Sequence, residues 1–260
     1  MPTRLTPEQH LDGLRAAMVG FVRYADRAGL TAPVPTCPDW TVRDLVAHQG
    51  MVHRWAAAIV RGERPDPDDV AAFERAGLEA DDAMGWLRAG AVEVARAAAE
   101  ARTEREAYVF LNDAPAQGFW ARRQCHETTI HAVDALAASL GRAPRAEETW
   151  IDPELARDGI DELLGGFLTR PRSLLRCDEA GLLAVVPDDA GEWWEVAVGP
   201  GPAVVTRHLA PYVDDVDADW ELTGSSVELY LRLWNRGDET GATGPSPEGS
   251  WRHLTAVTWS

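Results

Sequence analysis

The stretch "RQCHETTIHAVDA", Arg123–Ala135, lies in a long segment with helical character and nearly matches the His-Glu-x-x-His signature of zinc proteases. Its second histidine comes one residue late. On an α-helix, residues four apart lie about 40° apart around the axis, so Glu127 and His131 share one face. His126 and His131 are roughly 140° apart and cannot chelate one ion from a regular helix. The spacing therefore excludes the protease arrangement and makes Glu127 and His131 the candidate pair.

A catalytic metal ion usually takes three protein ligands and keeps one position open, so this pair needs a third ligand from another helix. His48 is the best candidate, because it shares the predicted inner face of the second helix with Leu45, Gln49 and Val52. His53 lies off this face and is at best a neighbour of the site. Two imidazoles and one carboxylate suit Zn, Ni, Fe(II) or Co equally well. Spacing alone leaves open an ordinary surface Glu–His pair and a hydrogen-bonded core histidine.

Capping signals and apolar periodicity predict four long helices in residues 1–145. Thr6 and Gln9 form a capping box for the first helix, and Gly29 ends it. The acidic segment "GERPDPDD" contains two prolines and is expected to be a connector. The other three helices are expected from about Thr41 to Arg61, Asp81 to Arg102 and Phe119 to Leu140. Four long amphipathic helices of this kind indicate a four-helix bundle.

The pattern changes after residue 148, where a helix of about 152–168 is followed by short β-like runs separated by Gly, Pro and Asp. These runs are "GLLAVVP", "EWWEVAVG", "PAVVTRHLA" and "ADWELTG". A last helix, "SSVELYLRLWNRG", has Ser at its start and Gly at its end. The predicted fold class is therefore α+β, with a helical bundle in residues 1–145 and a small α+β domain in residues 148–260.

The composition limits the classes of partner. The chain has 260 residues, a net charge of −17 and a pI of about 4.8, which argues against nucleic acid or an anionic membrane as the main partner. All 25 basic residues are arginine, so lysine-based chemistry is excluded. Cys37, Cys125 and Cys177 are far apart and form no CxxC motif, which favours a reducing cytoplasm. Without a long apolar stretch or a spare apolar helix, we expect no membrane span and a monomer.

Three stretches resemble the mycothiol-dependent maleylpyruvate isomerase family. They are "VPTCPDWTVRDLVAHQGMVHRWA" (34–56), "CHETTIHAVDALAA" (125–138) and "ELTGSSVELYLRLWNRGD" (221–238), and they occur in the order of the family. The resemblance covers nearly the whole chain. It implies a DinB/YfiT-like four-helix bundle followed by a small C-terminal α/β domain similar to sterol-carrier proteins.

The resemblance also implies roles for individual residues. His48, Glu127 and His131 match the three metal ligands of the family, for which the ion is usually taken to be zinc. Asp134 is expected either to hold a ligand imidazole or to serve helix packing. Arg236, with Arg232 as its nearby rival, matches an arginine that reaches the active site in relatives, and its guanidinium would suit a carboxylate.

The activity implied by the resemblance is that of a metal- and mycothiol-dependent isomerase or S-transferase. A metal-bound thiolate of mycothiol, the thiol cosubstrate, would attack a small electrophilic substrate. Two other hypotheses remain: a non-catalytic metal-binding stress or regulatory protein of the same fold, and a carrier that holds an apolar ligand in its C-terminal domain. The sequence does not identify the electrophile.

Overall fold

A computed structural model of the chain describes residues 5–101, 108–111, 116–212, 217–237 and 251–255. The chain divides into two compact units, with the boundary between Pro144 and Arg145. The N-terminal unit is helical apart from one small hairpin, and the C-terminal unit contains a four-stranded sheet with helices. The predicted α+β fold class is therefore confirmed.

The N-terminal unit consists of five helices and a two-stranded antiparallel hairpin within the described residues. The elements are α1 (Pro7–Ala28), β1 (Pro33–Val34), β2 (Cys37–Thr41), α2 (Val42–Val60), α3 (Pro67–Glu79), α4 (Ala83–Glu100) and α5 (Ala116–Leu140). The predicted capping box of Thr6 with Gln9 is present at α1, and Thr41 forms a second capping box with Asp44 at α2. α1 ends at Gly29, whose φ of 84° is a conformation that glycine adopts at little cost.

Helix α3 corrects the interpretation of the acidic segment as a connector. Asp66 is the N-cap, Pro67 occupies the first turn, and Asp69 completes a capping box. Proline lacks an N–H that the first turn does not need, and its fixed φ suits a helix start. The two prolines predict a break between helices, whereas the second one begins a helix.

The hairpin formed by β1 and β2 was not predicted, because two and five residues are too few for a periodic signal. Thr36 lies in its turn and is buried, whereas Cys37 and Trp40 lie on β2 and are half-buried. Since β2 runs directly into α2, the hairpin carries these side chains to the start of the helix that holds His48.

Helix α5 is buried on all sides rather than amphipathic, because every residue from 119 to 137 is buried. It packs against α1 and α2. Polar and charged side chains are part of this buried run, so they must find partners inside the protein.

Within the described residues, no helix is both long and apolar enough to cross a membrane.

The C-terminal unit is built on a sheet with the strand order β5–β4–β3–β6, formed by β3 (Gly181–Pro187), β4 (Trp193–Val198), β5 (Val204–His208) and β6 (Trp220–Gly224). β4 pairs antiparallel with both neighbours, and β3 pairs parallel with β6. Its helices are α6 (Pro153–Asp161), which continues into a π-helical turn over Glu162–Phe167, α7 (Ser226–Leu233) and α8 (Trp251–Leu254). All four predicted strands are confirmed, whereas the π-helical turn was not predicted.

Candidate metal centre

The structure brings His48, Glu127 and His131 together within the N-terminal unit. One possible ligand atom from each of them lies within 4.8 Å of the other two. Oε1 of Glu127 is 3.3 Å from Nε2 of His131 and 3.8 Å from Nε2 of His48. The side chains are 7%, 9% and 13% exposed for Glu127, His131 and His48. The sequence therefore identified three side chains that do converge, from helices α2 and α5.

These separations fit a metal ion. Two ligands that are each about 2.1 Å from a tetrahedral ion lie roughly 3.4 Å from one another. The two Nε2–Oε1 distances, 3.3 and 3.8 Å, lie close to that value. Two nitrogen donors and one carboxylate oxygen are one of the compositions found in open catalytic zinc sites.

Asp134 holds the ring of His131. Oδ2 of Asp134 is 2.8 Å from Nδ1 of His131, so the Nδ1–H can donate to the carboxylate. In the neutral imidazole this leaves the Nε2 lone pair facing Glu127, as is usual for a metal-bound histidine. Thr36 donates to Oδ1 of Asp134 at 2.6 Å, and the Cys37 thiol donates to Oδ2 at 3.6 Å. The geometry therefore favours the prediction that Asp134 holds an imidazole over the prediction that it serves helix packing.

Arg123 holds the carboxylate of Glu127 from the other side. Its Nη2 donates to Oε2 at 2.5 Å, and the guanidinium is fully buried. Burial would raise the pKa of Glu127, but the Arg123 charge and hydrogen bonds from His131 and His48 hold that pKa well below its usual value. Glu127 is therefore an anion, ready to bind a cation.

Burial affects the pKa of His131 in the opposite direction from that of Glu127. It would lower the pKa of His131, but hydrogen bonds to Asp134 and Glu127 raise that pKa above its usual value. Without a metal ion, the proton on His131 therefore pairs with the Glu127 carboxylate. A bound ion would take the place of that proton.

Trp40 covers the two imidazoles. Its ring centroid is 4.8 Å from that of His48 and 5.9 Å from that of His131, and it is stacked on His131 with an interplanar angle of 27°. The two imidazole rings are 5.1 Å apart in an edge-to-face arrangement. An indole in this place shields one side of the ligand atoms from water. The sequence did not predict that Trp40 lies over the two imidazoles.

A buried polar cluster adjoins the ligands and was missed in the sequence. Nε2 of His53 lies 2.8 Å from Nε2 of Gln49 and 2.9 Å from Oγ1 of Thr128. Gln49 also donates to Thr128 at 3.2 Å. Burial, reinforced by the charge of Arg54, lowers the pKa of His53 to about 3, so the ring is neutral. The cluster ties α2 to α5 one residue away from His48 and Glu127, and it places His53 beside the candidate ligands rather than among them.

Three other residues discussed above are not among the three converging residues. His126 packs its ring edge-to-face against His10, with 6.1 Å between centroids. Arg236 lies in the C-terminal unit just after α7, where its Nη1 donates to the carbonyl oxygen of Trp234 at 2.8 Å. Its rival Arg232 donates to the carbonyl oxygen of Thr223 at 3.3 Å.

Two solved structures are similar to the chain over nearly its full length. One is a crystal structure of the mycothiol-dependent maleylpyruvate isomerase, and the other is a histidine-to-alanine mutant of that enzyme. Both have a TM-score of 0.62, cover 95% of this chain and are themselves covered to 98%, at sequence identities of 18% and 17%. Likeness at this identity shows a shared fold. No curated protein shows significant sequence similarity to the chain.

Two family models match the chain in succession. Residues 11–136 match the mycothiol maleylpyruvate isomerase N-terminal domain, and residues 154–251 match the MDMPI C-terminal domain. The first match contains all three converging residues, and the second contains Arg236. Because both domains are matched in order over most of its length, the chain belongs to the mycothiol-dependent maleylpyruvate isomerase family of enzymes.

Proposed function

We propose that the protein is a metal-dependent enzyme that uses mycothiol as a thiol cosubstrate to isomerise, or to attach the thiol to, a small electrophilic substrate. The observation that carries the proposal is the convergence of His48 Nε2, Glu127 Oε1 and His131 Nε2 at separations suited to one divalent ion, with zinc as the first candidate. Family membership supports the use of mycothiol.

The residues around the site have distinct tasks in this proposal. Asp134 keeps the Nε2 lone pair of His131 directed at the ligand cluster, and Arg123 keeps Glu127 anionic. Trp40 excludes water from one side of the imidazoles. A bound divalent ion would supply positive charge that favours the thiolate form of a coordinated thiol. Because the cosubstrate is the nucleophile, no side chain of the protein has to attack the substrate.

Arg236 is proposed as the group that binds a carboxylate of the substrate or of the thiol. A guanidinium presents a planar set of N–H donors that matches a carboxylate in a bidentate manner. In an isomerisation, the thiolate adds to an activated double bond, the resulting single bond rotates, and the thiolate leaves. In a transfer reaction the new C–S bond remains, and the neighbouring carbon of the former double bond gains a proton.

Metal analysis with thiol calorimetry tests the proposal. Purified wild-type protein is expected to contain one divalent ion per chain and to bind mycothiol only when that ion is present. His48→Ala should lose both properties. The matched control is His208→Ala, which removes a partly exposed histidine from the C-terminal unit and should change neither. Wild-type protein without metal, or full metal content in His48→Ala, would refute the site.

The same experiment separates the enzyme from a non-catalytic relative of the same fold. Stoichiometric metal without any affinity for mycothiol would favour a metal-binding stress or regulatory protein. Incubation with mycothiol and maleylpyruvate, followed by mass spectrometry, then distinguishes the two reactions. Isomerisation yields a product that has the mass of the substrate but a different chromatographic retention time, whereas transfer yields a product that carries the mass of both reactants.

A further inference from the structure

The two carboxylate oxygens of Glu127 have different surroundings. Oε1 faces the imidazoles, at 3.3 Å from His131 Nε2 and 3.8 Å from His48 Nε2. Oε2 faces away from them and accepts the 2.5 Å hydrogen bond from Nη2 of Arg123. One oxygen therefore belongs to the ligand cluster, while the other belongs to a buried ion pair.

The ion pair is held firmly in place. Arg123 and Glu127 are four residues apart on α5, and their side chains are 0% and 7% exposed. Residues at this spacing lie one above the other on a helix, so the guanidinium needs no backbone movement to reach the carboxylate. Charge-assisted hydrogen bonds are strong, and breaking one in a buried environment leaves groups that water cannot reach. Oε2 is thus not available to turn toward an ion.

We infer that Arg123 is a positioning residue that restricts Glu127 to a single ligand oxygen and thereby keeps a coordination position open for the thiol. The inference rests on the proposed function. With one oxygen from Glu127 and one nitrogen each from His48 and His131, the protein fills three positions of a four-coordinate ion. A second oxygen from Glu127 would compete for the position that the cosubstrate needs.

Cobalt substitution tests the inference through a spectrum rather than through activity. Four-coordinate Co²⁺ absorbs visible light much more strongly than five- or six-coordinate Co²⁺, and Co²⁺ accepts the same ligand types as zinc. Wild-type protein loaded with Co²⁺ should show the intense bands. Arg123→Met should keep the cobalt but lose much of the intensity, because Oε2 becomes free to bind. Arg123→Lys should retain the intense bands, because an ammonium group one turn away can still donate to Oε2.

Arg54→Met is the matched control, since Arg54 is partly buried but binds Gly50, Trp86 and no candidate ligand. It should leave the spectrum unchanged. A weak spectrum in fully loaded wild-type protein would overturn the inference, even if Arg123→Met fails to fold. An Arg123→Met spectrum equal to that of wild type would also overturn it. A wild-type protein that binds no cobalt would instead refute the metal site, and with it the proposed function.

Discussion

The N-terminal and C-terminal units each bury a cluster of charged side chains, and the two clusters are built differently. In the C-terminal unit, Glu192 lies between two arginines, with Oε1 at 3.0 Å from Arg157 and Oε2 at 2.6 Å from Arg207. Arg207 also approaches Asp161 at 3.8 Å, and Trp194 donates to that carboxylate at 3.0 Å. Each carboxylate there faces a cation or an N–H donor.

In the N-terminal unit, Arg123 pairs with one oxygen of Glu127, but the other oxygen faces two imidazole nitrogens that can each carry a proton or bind an ion. Oε1 of Glu127 and the Nε2 atoms of two histidines converge, and each needs a proton or a metal ion between them. The C-terminal cluster brings its own cations, two arginines for two carboxylates. The contrast gives a criterion for distinguishing a structural ion network from a candidate metal site: an ion can replace a proton where lone pairs converge, and it is superfluous where charges are already matched.

The largest effect is expected from Glu127→Gln. The amide oxygen can still accept from Arg123, so the fold should persist, but the ligand cluster loses its anion. Metal affinity should fall by more than the ~100-fold that marks the loss of a supporting group. Titration against a chelator of known affinity measures the change. Glu192→Gln is the paired control and should leave metal affinity unchanged. A loss of metal in that variant would show that the two clusters do not have separate roles.

The second prediction concerns stability, and the substitution is made in the C-terminal cluster. Glu192→Ala leaves Arg207, whose side chain is 7% exposed, without its nearest carboxylate. Breaking a buried ion pair in this way costs about 3–5 kcal/mol. Urea denaturation should show this loss in the free energy of unfolding, while the metal content stays at the wild-type level. Unfolding at the wild-type urea concentration would mean that the C-terminal cluster is not the structural network described above.

The sequence was most informative where a short spacing determines the geometry. The capping box of α1 and the shared face of Glu127 and His131 both depend on residues three or four apart, and both are present in the structure. Helix α3 was not predicted, because prolines usually interrupt a helix. Asp66 directly before Pro67 is nevertheless a typical start of a helix, so the sequence does contain a signal for α3.

Of the contacts that were not predicted, the Arg123–Glu127 pair depends on a local spacing, whereas the contacts of Thr128 and Thr36 do not. Arg123 stands four residues before Glu127, so the spacing that revealed His131 could also have revealed this ion pair. The contact of Thr128 with Gln49 and His53 depends on the register between α2 and α5, which no local pattern gives. The bond from Thr36 to Asp134 spans 98 residues and depends on a hairpin too short for a periodic signal.

Asp134→Asn should weaken metal binding by about 10- to 100-fold. The variant removes the negative charge that holds the Nδ1–H of His131, so the imidazole becomes a less basic ligand and its orientation is less well fixed. Isothermal titration of the metal-free protein measures the change. Asp161→Asn makes the same substitution in the C-terminal cluster and should leave the affinity unchanged. Equal affinities in Asp134→Asn and wild type would show that Asp134 serves packing alone.

Metal affinity should also depend on pH in a predictable direction. The pKa of His131 is raised in the metal-free protein, so its proton competes with the ion already at pH values above 6.5. Below that raised pKa, affinity should fall about tenfold per pH unit.

In the metal-free protein, the same shift stabilises the fold fully below the unfolded pKa of 6.5, and this contribution is lost as the pH rises through the folded pKa. Paired measurements of affinity and unfolding across this range should therefore move in opposite directions. A pH-independent affinity would contradict the assignment of His131 as a ligand.

The smallest effect is expected from Thr36→Val. The substitution removes the hydroxyl that donates to Oδ1 of Asp134 and leaves a side chain of similar shape in the buried hairpin turn. Loss of one hydrogen bond to a charged group costs about 1.5–3 kcal/mol of stability. Oδ2 still binds His131, so metal affinity should change by less than the ~10-fold lower limit expected for Asp134→Asn. Thermal unfolding and metal titration of the same sample separate the two effects. If Thr36→Val weakened metal binding as strongly as Asp134→Asn, the hairpin itself would be a determinant of ligand geometry, and the boundary of the metal site would have to include it.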